Sequence, residues 1–326
     1  MHPGDALHLD GESLLKSIEA QHGLLVERAR GIYSFSHLTF QEYFTSRYIA
    51  DPTLPLQPAL KKLATHITEK RYREVFRLTV GMLPQADDLL RYMKHQVDRG
   101  LAQDLQLQAF LAWVWKKAHS TNTPYKNVAV RAYYLSLELV RVLGLVRARA
   151  LKLACDLDTD LSRTLSCILS CNRDIDIDIT LDFAFELVRD LDIDLNLDLS
   201  FALDQALIAE KIAGCDPKLK LKIQELKAQL PNCENPEAFR QWLLNHGQSW
   251  VNPLRTVMIE HRNIGHDWQF TDEQKAKLQQ YYDANKLLVD CLNSDCYVTK
   301  ATRQYIEDTL LLPMSEIEKY EKPEIN

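Results

Sequence analysis

Near the start of the chain two short β-prone runs, Leu24–Arg28 and Ile32–Ser36, face each other across Ala29-Arg30-Gly31, while apolar residues elsewhere recur mostly at helical spacing. A chain patterned this way is mainly α, with a single hairpin near its beginning. Glycine use agrees: ten in 326 residues are few for a fold built on tight β-turns, whereas stretches dense in Leu, Ala, Lys, Glu and Arg suit helices. Leu14, Leu15 and Ile18 place a helix before the hairpin. After it, Thr39 and Glu42 read as a capping box, with Leu38 and Tyr43 at the staple positions and Phe40 and Phe44 facing inward.

Helix, two-stranded wing and helix are the closing elements of a winged-helix domain, so residues 1–50 read as the C-terminal part of one. Pro52, Pro55 and Pro58 break the next helix and open a helical connector over 51–123. There Phe110, Trp113, Val114 and Trp115 read as a buried helix end. Residues 124–230 read as degenerate Leu/Asp-rich helical repeats. Asp-rich starts at Asp156, Asp174 and Asp190 each lead into an apolar stretch, which suggests a small solenoid. Strict alternation argues for strands, but Asp is poor in strands and caps helix starts, so short helices are expected. From 231 to 326 the expectation is a C-terminal helical domain, including a helix opened by a Thr271–Gln274 capping box and another from Thr299 to Leu312 that stops at Pro313.

Charge narrows the partners. Residues 151–214 hold twelve Asp and two Glu against two Lys and three Arg, a balance of −9 that exceeds the −6 of the whole chain. No global field draws the chain to nucleic acid or anionic lipid. No apolar run approaches the ~20 residues of a membrane helix, and no signal peptide is visible, so the expected location is cytoplasmic. Seven cysteines lack paired metal spacing, and no metal site is expected. Cys167 and Cys171, one helical turn apart, read as small buried thiols. An EF-hand reading from Asp174 fails, because Ile179 stands where the loop needs Gly and Phe185 where it needs Glu.

No phosphate-binding glycine loop, nucleophile elbow or His-Glu-x-x-His pair occurs. The most specific motif is Tyr33-Ser34-Phe35-Ser36-His37-Leu38-Thr39-Phe40-Gln41-Glu42-Tyr43-Phe44, preceded by Gly23-Leu24-Leu25-Val26-Glu27. It resembles the winged-helix signature Phe-x-His-x-Thr/Ser-Phe-Gln-Glu-Phe/Tyr of NACHT ATPases. The segments Val257-Met258-Ile259-Glu260-His261-Arg262-Asn263-Ile264-Gly265-His266-Asp267-Trp268 and Tyr281-Tyr282-Asp283-Ala284-Asn285-Lys286 resemble the C-terminal helical domain of bacterial, especially cyanobacterial, NACHT proteins.

The resemblance implies the sensor arm of a STAND-type switch, acting in signal transduction such as antiviral defence. It implies that His37 touches the β-phosphate of ADP bound to a NACHT module. With Met1 inside the winged-helix region, the expectation is a chain without that module. It would not be an enzyme and would carry no cofactor of its own, meeting ADP or ATP only through a separate or lost NACHT module. The expected partner is a protein: the ATPase module, or a ligand sensed by the helical arm. The rival reading is enzymatic. Arg262-Asn263-Ile264-Gly265-His266 resembles the Arg-Asn-x-x-x-His motif of HEPN ribonucleases, in which Arg262 and His266 would act on RNA as catalytic residues. Here only three residues separate Arg262 from His266, and Gly265 weakens a helix, so a buried polar turn is the expected arrangement.

Overall fold

The computed structural model describes residues 11–121, 123–169, 217–231 and 236–321. Within them all regular structure is helical except for one antiparallel hairpin, as the sequence pattern requires. The Asp-rich starts at Asp174 and Asp190, the solenoid expected from them, and Cys171 lie outside the described residues. The chain forms two compact units. One comprises Met1–Gln96 with Asp290–Arg303, the other Val97–Val289 with Gln304–Asn326.

The first unit opens with α1 (Gly11–His22), β1 (Leu25–Ala29), β2 (Ile32–Phe35) and α2 (Leu38–Ile49). The strands pair from Leu25↔Phe35 to Ala29↔Ile32, with an irregularity between Glu27 and Ala29. Gly31 takes φ 74 in the turn, a left-handed conformation that favours glycine. The Glu27 carboxylate accepts a hydrogen bond from the Gly31 amide at 2.6 Å and so ties the tip.

α3 (Leu56–Ala64) and α4 (Arg73–Met82) follow, then α5, which begins at Asp87 and ends at Leu101. α2 packs on α4 at Ser46, a fully buried residue whose hydroxyl lies 2.8 Å from the Glu42 carbonyl and 3.2 Å from that of Val75. Leu60, Leu63, Phe76, Val80, Leu89, Leu90 and Met93 fill the core. The returning segment 290–303 is held by Asp87, which accepts from the Thr299 amide at 2.9 Å, the Thr299 hydroxyl at 2.8 Å and Gln85 at 2.7 Å. Burial alone would raise the Asp87 carboxyl; the hydrogen bonds from Thr299 and Gln85 outweigh it and leave the group below the usual carboxylate range.

The second unit contains α6 (Leu105–Ser120), α7 (Asn127–Leu143), α8 (Arg147–Leu157) and α9 (Thr159–Leu169). It continues with α10 (Pro217–Ala228) and α11 (Pro236–Val257), which ends in a π-helical turn, Met258–Arg262. The unit also holds most of α12 (Asp272–Leu292) and α13 (Lys300–Thr309), and all of α14 (Met314–Glu321). α7 packs against both α6 and α8, and Gly144, left-handed at φ 61, ends α7 so that the chain can turn into α8. Tyr133, Tyr134, Phe110 and Val114 are buried at the centre.

The first Asp-rich run is helical, but Asp156 falls in the last turn of α8 and it is Asp158 that opens the next helix. Asp158 Oδ1 accepts from the amides of Asp160 and Leu161 at the head of α9, while Oδ2 accepts from the Lys126 amide at the head of α7. The capping box at Thr271 is also present: Gln274 N donates to Thr271 Oγ1 at 3.2 Å, and Thr271 N to Gln274 Oε1 at 3.1 Å. α13 stops at Thr309 rather than Leu312. The Arg131 guanidinium, buried in α7, donates to the carbonyls of Glu307, Asp308 and Leu310, and Leu311 turns left-handed at φ 62. These bonds satisfy the carbonyls that a helix end leaves open, and Pro313 then introduces α14.

Candidate functional site

His37 lies where the hairpin becomes α2. Its backbone is extended, φ −128 and ψ 146, so the strand conformation persists to this residue and the helix starts at the next one. This moves the start of α2 away from the expected capping box: Thr39 is already the second helical residue, and His37 occupies the N-cap without a side-chain cap hydrogen bond. The imidazole is exposed and tilted against Phe40, with ring centroids 6.0 Å apart. An exposed imidazole at the positive end of a helix dipole, with no carboxylate or hydroxyl cap at the N-cap, favours an anionic ligand.

α2 exposes large apolar side chains along its length, between exposed polar residues such as Thr39, Gln41 and Arg47. Leu38 is 65% exposed and Tyr48 67%, and Phe44, expected to face inward, is 41% exposed. Phe44 stacks on Phe35 of the hairpin at 5.6 Å and meets Tyr43 edge-on at 5.4 Å. α2 therefore spends its buried side on α4 through Ser46 and turns aromatic rings outward. Soluble domains rarely leave such residues clustered without a use.

In the second unit, Arg262 ends the π-helical turn, Asn263 is left-handed at φ 54, and 264–270 is irregular. Arg262 and His266 thus do not share a helix face. His266 Nε2 lies 2.7 Å from the Asn263 amide oxygen, and its ring stands among Trp113 and Trp268, 6.0 Å and 5.9 Å away. Burial lowers the His266 pKa, which keeps the ring neutral.

The backbone of this turn is clasped by side chains. Lys117 Nζ donates to the Arg262 carbonyl at 2.7 Å, Trp113 Nε1 to that of Asn263 at 2.8 Å, Arg255 to Gly265 at 2.9 Å, and Arg141 to His266 at 2.6 Å. Asp267 lies near both Arg141 and Arg255, at 3.9 and 3.7 Å. A polar turn is therefore present, built against the aromatic end of α6, but it is only partly buried: Asn263 and Asp267 are exposed and His266 is half-buried. Phe110, Trp113 and Val114 are buried there as expected, and Trp115 is half-buried. Among the described residues no cluster of His, Cys, Asp and Glu could hold a metal ion, and no helix is long and apolar enough to cross a membrane.

A hairpin-to-helix junction followed by a helical region defines the end of a winged-helix domain joined to a helical arm. Two family models match within the chain: "winged helix-turn-helix domain C-terminal to NACHT" over residues 7–49, and "NACHT C-terminal Helical domain 2" over residues 219–313. The chain carries the C-terminal region of a NACHT-type protein. No curated protein and no solved structure matches it.

Proposed function

We propose that this chain is the regulatory and sensing region of a NACHT-type signalling ATPase, with His37 as its contact to nucleotide. The observation that carries the reading is the β2–α2 junction: an exposed imidazole at a helix start, inside the segment matched to the winged-helix family. A His there donates a hydrogen bond to an ADP phosphate on a NACHT module and keeps the assembly closed, and exchange for ATP changes that contact. The outward aromatic face of α2 is the seat for the same module. The helical region from the connector to α14 then serves as the arm that senses a ligand, with signal transduction, including antiviral defence, as the output in a cytoplasmic setting. In this reading residues 1–50 close the winged-helix domain, and 51–123, 124–230 and 231–326 divide the arm.

No phosphate-binding loop occurs in the sequence, so in this reading hydrolysis belongs to the NACHT module and the chain itself is not the enzyme. The test is the ADP off-rate from a reconstituted pair of this chain and a NACHT module. A charge-assisted hydrogen bond contributes ~1.5–3 kcal/mol, so His37→Ala should speed ADP release roughly ten- to a hundredfold. An unchanged rate in a folded variant overturns the role of His37.

A further inference from the structure

Between the end of α6, the start of α7 and the α13–α14 corner lies a cleft of about 340 Å³ in the second unit. Its charges are paired in sign but not all locked in place. Lys126 and Arg131 come from the start of α7, and Glu307 and Asp308 from α13. Arg131 is committed to the carbonyls of Glu307, Asp308 and Leu310, so it lends the cleft a fixed positive charge. Lys126 instead meets Glu307 at 3.3 Å with its side chain half exposed, an ion pair that solvent weakens and a ligand can open. Trp115 and Tyr320 form aromatic walls, with Val128 and Leu312 beside them.

We propose that this cleft binds a zwitterionic α-amino acid with an aromatic or branched apolar side chain. The ligand's carboxylate takes Lys126 and its ammonium takes Glu307 and Asp308, so the opened ion pair is replaced by pairs at both of the ligand's charges. The side chain lies against Trp115 and Tyr320. A simple anion meets two carboxylates here and a simple cation meets Lys126 and Arg131, so a ligand carrying both charges is favoured over either. The volume is at the lower end of the ~300–1,000 Å³ of small-molecule pockets, which suits a single amino acid.

The binding stands on this cleft alone; only its regulatory meaning rests on the sensing role proposed above. It is tested by calorimetry on the full chain with L-phenylalanine and L-leucine, using N-acetyl-L-phenylalanine and L-phenylalaninamide as controls that each lack one charge. We expect saturable binding of at least one free amino acid and roughly tenfold weaker binding of both controls. Glu307→Gln and Lys126→Met, each checked for native helicity, should weaken it by about the same factor. Absence of saturable heat up to ~10 mM for both amino acids, equal binding of the controls, or unchanged affinity in both variants overturns the proposal. None of these results depends on nucleotide release, so failure here is separate from failure of the His37 reading.

Discussion

Gln274 joins the starts of two helices through Asp104: its Nε2 lies 3.0 and 3.2 Å from the two carboxylate oxygens that cap α6, while its Oε1 accepts from Thr271 at the head of α12. A capping box usually accepts Glu in place of Gln. At this position Gln274→Glu would set two carboxylates against each other and remove the donor that bridges them. We expect a loss of roughly 1 kcal/mol at neutral pH, comparable to losing a cap, although α12 keeps its local grammar. Two carboxylates sharing a site raise a pKa, so the variant's deficit should shrink as pH falls through the carboxylate range. Denaturant unfolding at pH 7 and pH 4 measures it, and a variant as stable as the parent at both would contradict the bridge.

Arg131 ends α13 from a distance of more than 170 residues in sequence, donating to three carbonyls from a buried position. Burial pulls its pKa down to about 10. A base with a lowered folded pKa costs stability only as pH falls from its unfolded value through that point; below it both states are charged. The effect of Arg131→Met should therefore be the same at pH 6 and pH 8. Its size should be ~3 kcal/mol, because a helix end loses its partners inside the protein. Thermal unfolding across that pH range is the measurement, and a penalty confined to one end of it would show that another titrating group is responsible.

His266 titrates in the opposite sense to a histidine held by a carboxylate. Its folded pKa is lowered by burial, so the unfolded chain takes up the proton first, and stability falls as pH drops through the mid-sixes and below. His266→Gln should flatten this part of the pH profile relative to the parent, while still offering a donor to Asn263. The same position answers the ribonuclease alternative. Arg262 and His266 are separated by a left-handed residue and do not line one helix face, so we expect no RNA cleavage that His266→Ala removes. Reproducible cleavage lost in that variant would reverse this, since an acid–base group typically contributes ~10²–10⁴-fold.

The hairpin, the helices and the Thr271 capping box were legible in the sequence because each is local: a glycine in a turn, an apolar period, a Thr and a Gln three residues apart. The same local grammar failed at Thr39 and Glu42. There β2 carries its extended backbone through His37, and the helix begins before the box can form. Phe44, one helical turn from Phe40, reads as inward, but the small Ser46 supplies the close contact with α4 and leaves the ring on the hairpin side. Least legible were Arg131, Lys117, Arg141 and Arg255. The bonds by which they hold the chain in place end on backbone carbonyls, which every residue possesses, so side-chain patterns such as the Glu138–Arg141 pair do not point to them.

The outward face of α2 gives the last prediction. Leu38 and Tyr48 are largely exposed, so Leu38→Ser and Tyr48→Ser together should change the stability of the isolated chain by no more than ~0.5 kcal/mol, as exposed substitutions do. Phe44→Ala should cost more, because its ring stacks on Phe35 and anchors the hairpin to α2. If this face seats a NACHT module, the double variant should bind that module at least tenfold more weakly while ADP release from any complex still formed responds to His37 as before. Size-exclusion and titration binding of the two proteins would measure the first effect, and stopped-flow ADP release the second. Undiminished association of the Leu38→Ser, Tyr48→Ser chain would mean that the module rests elsewhere and that these rings serve another contact.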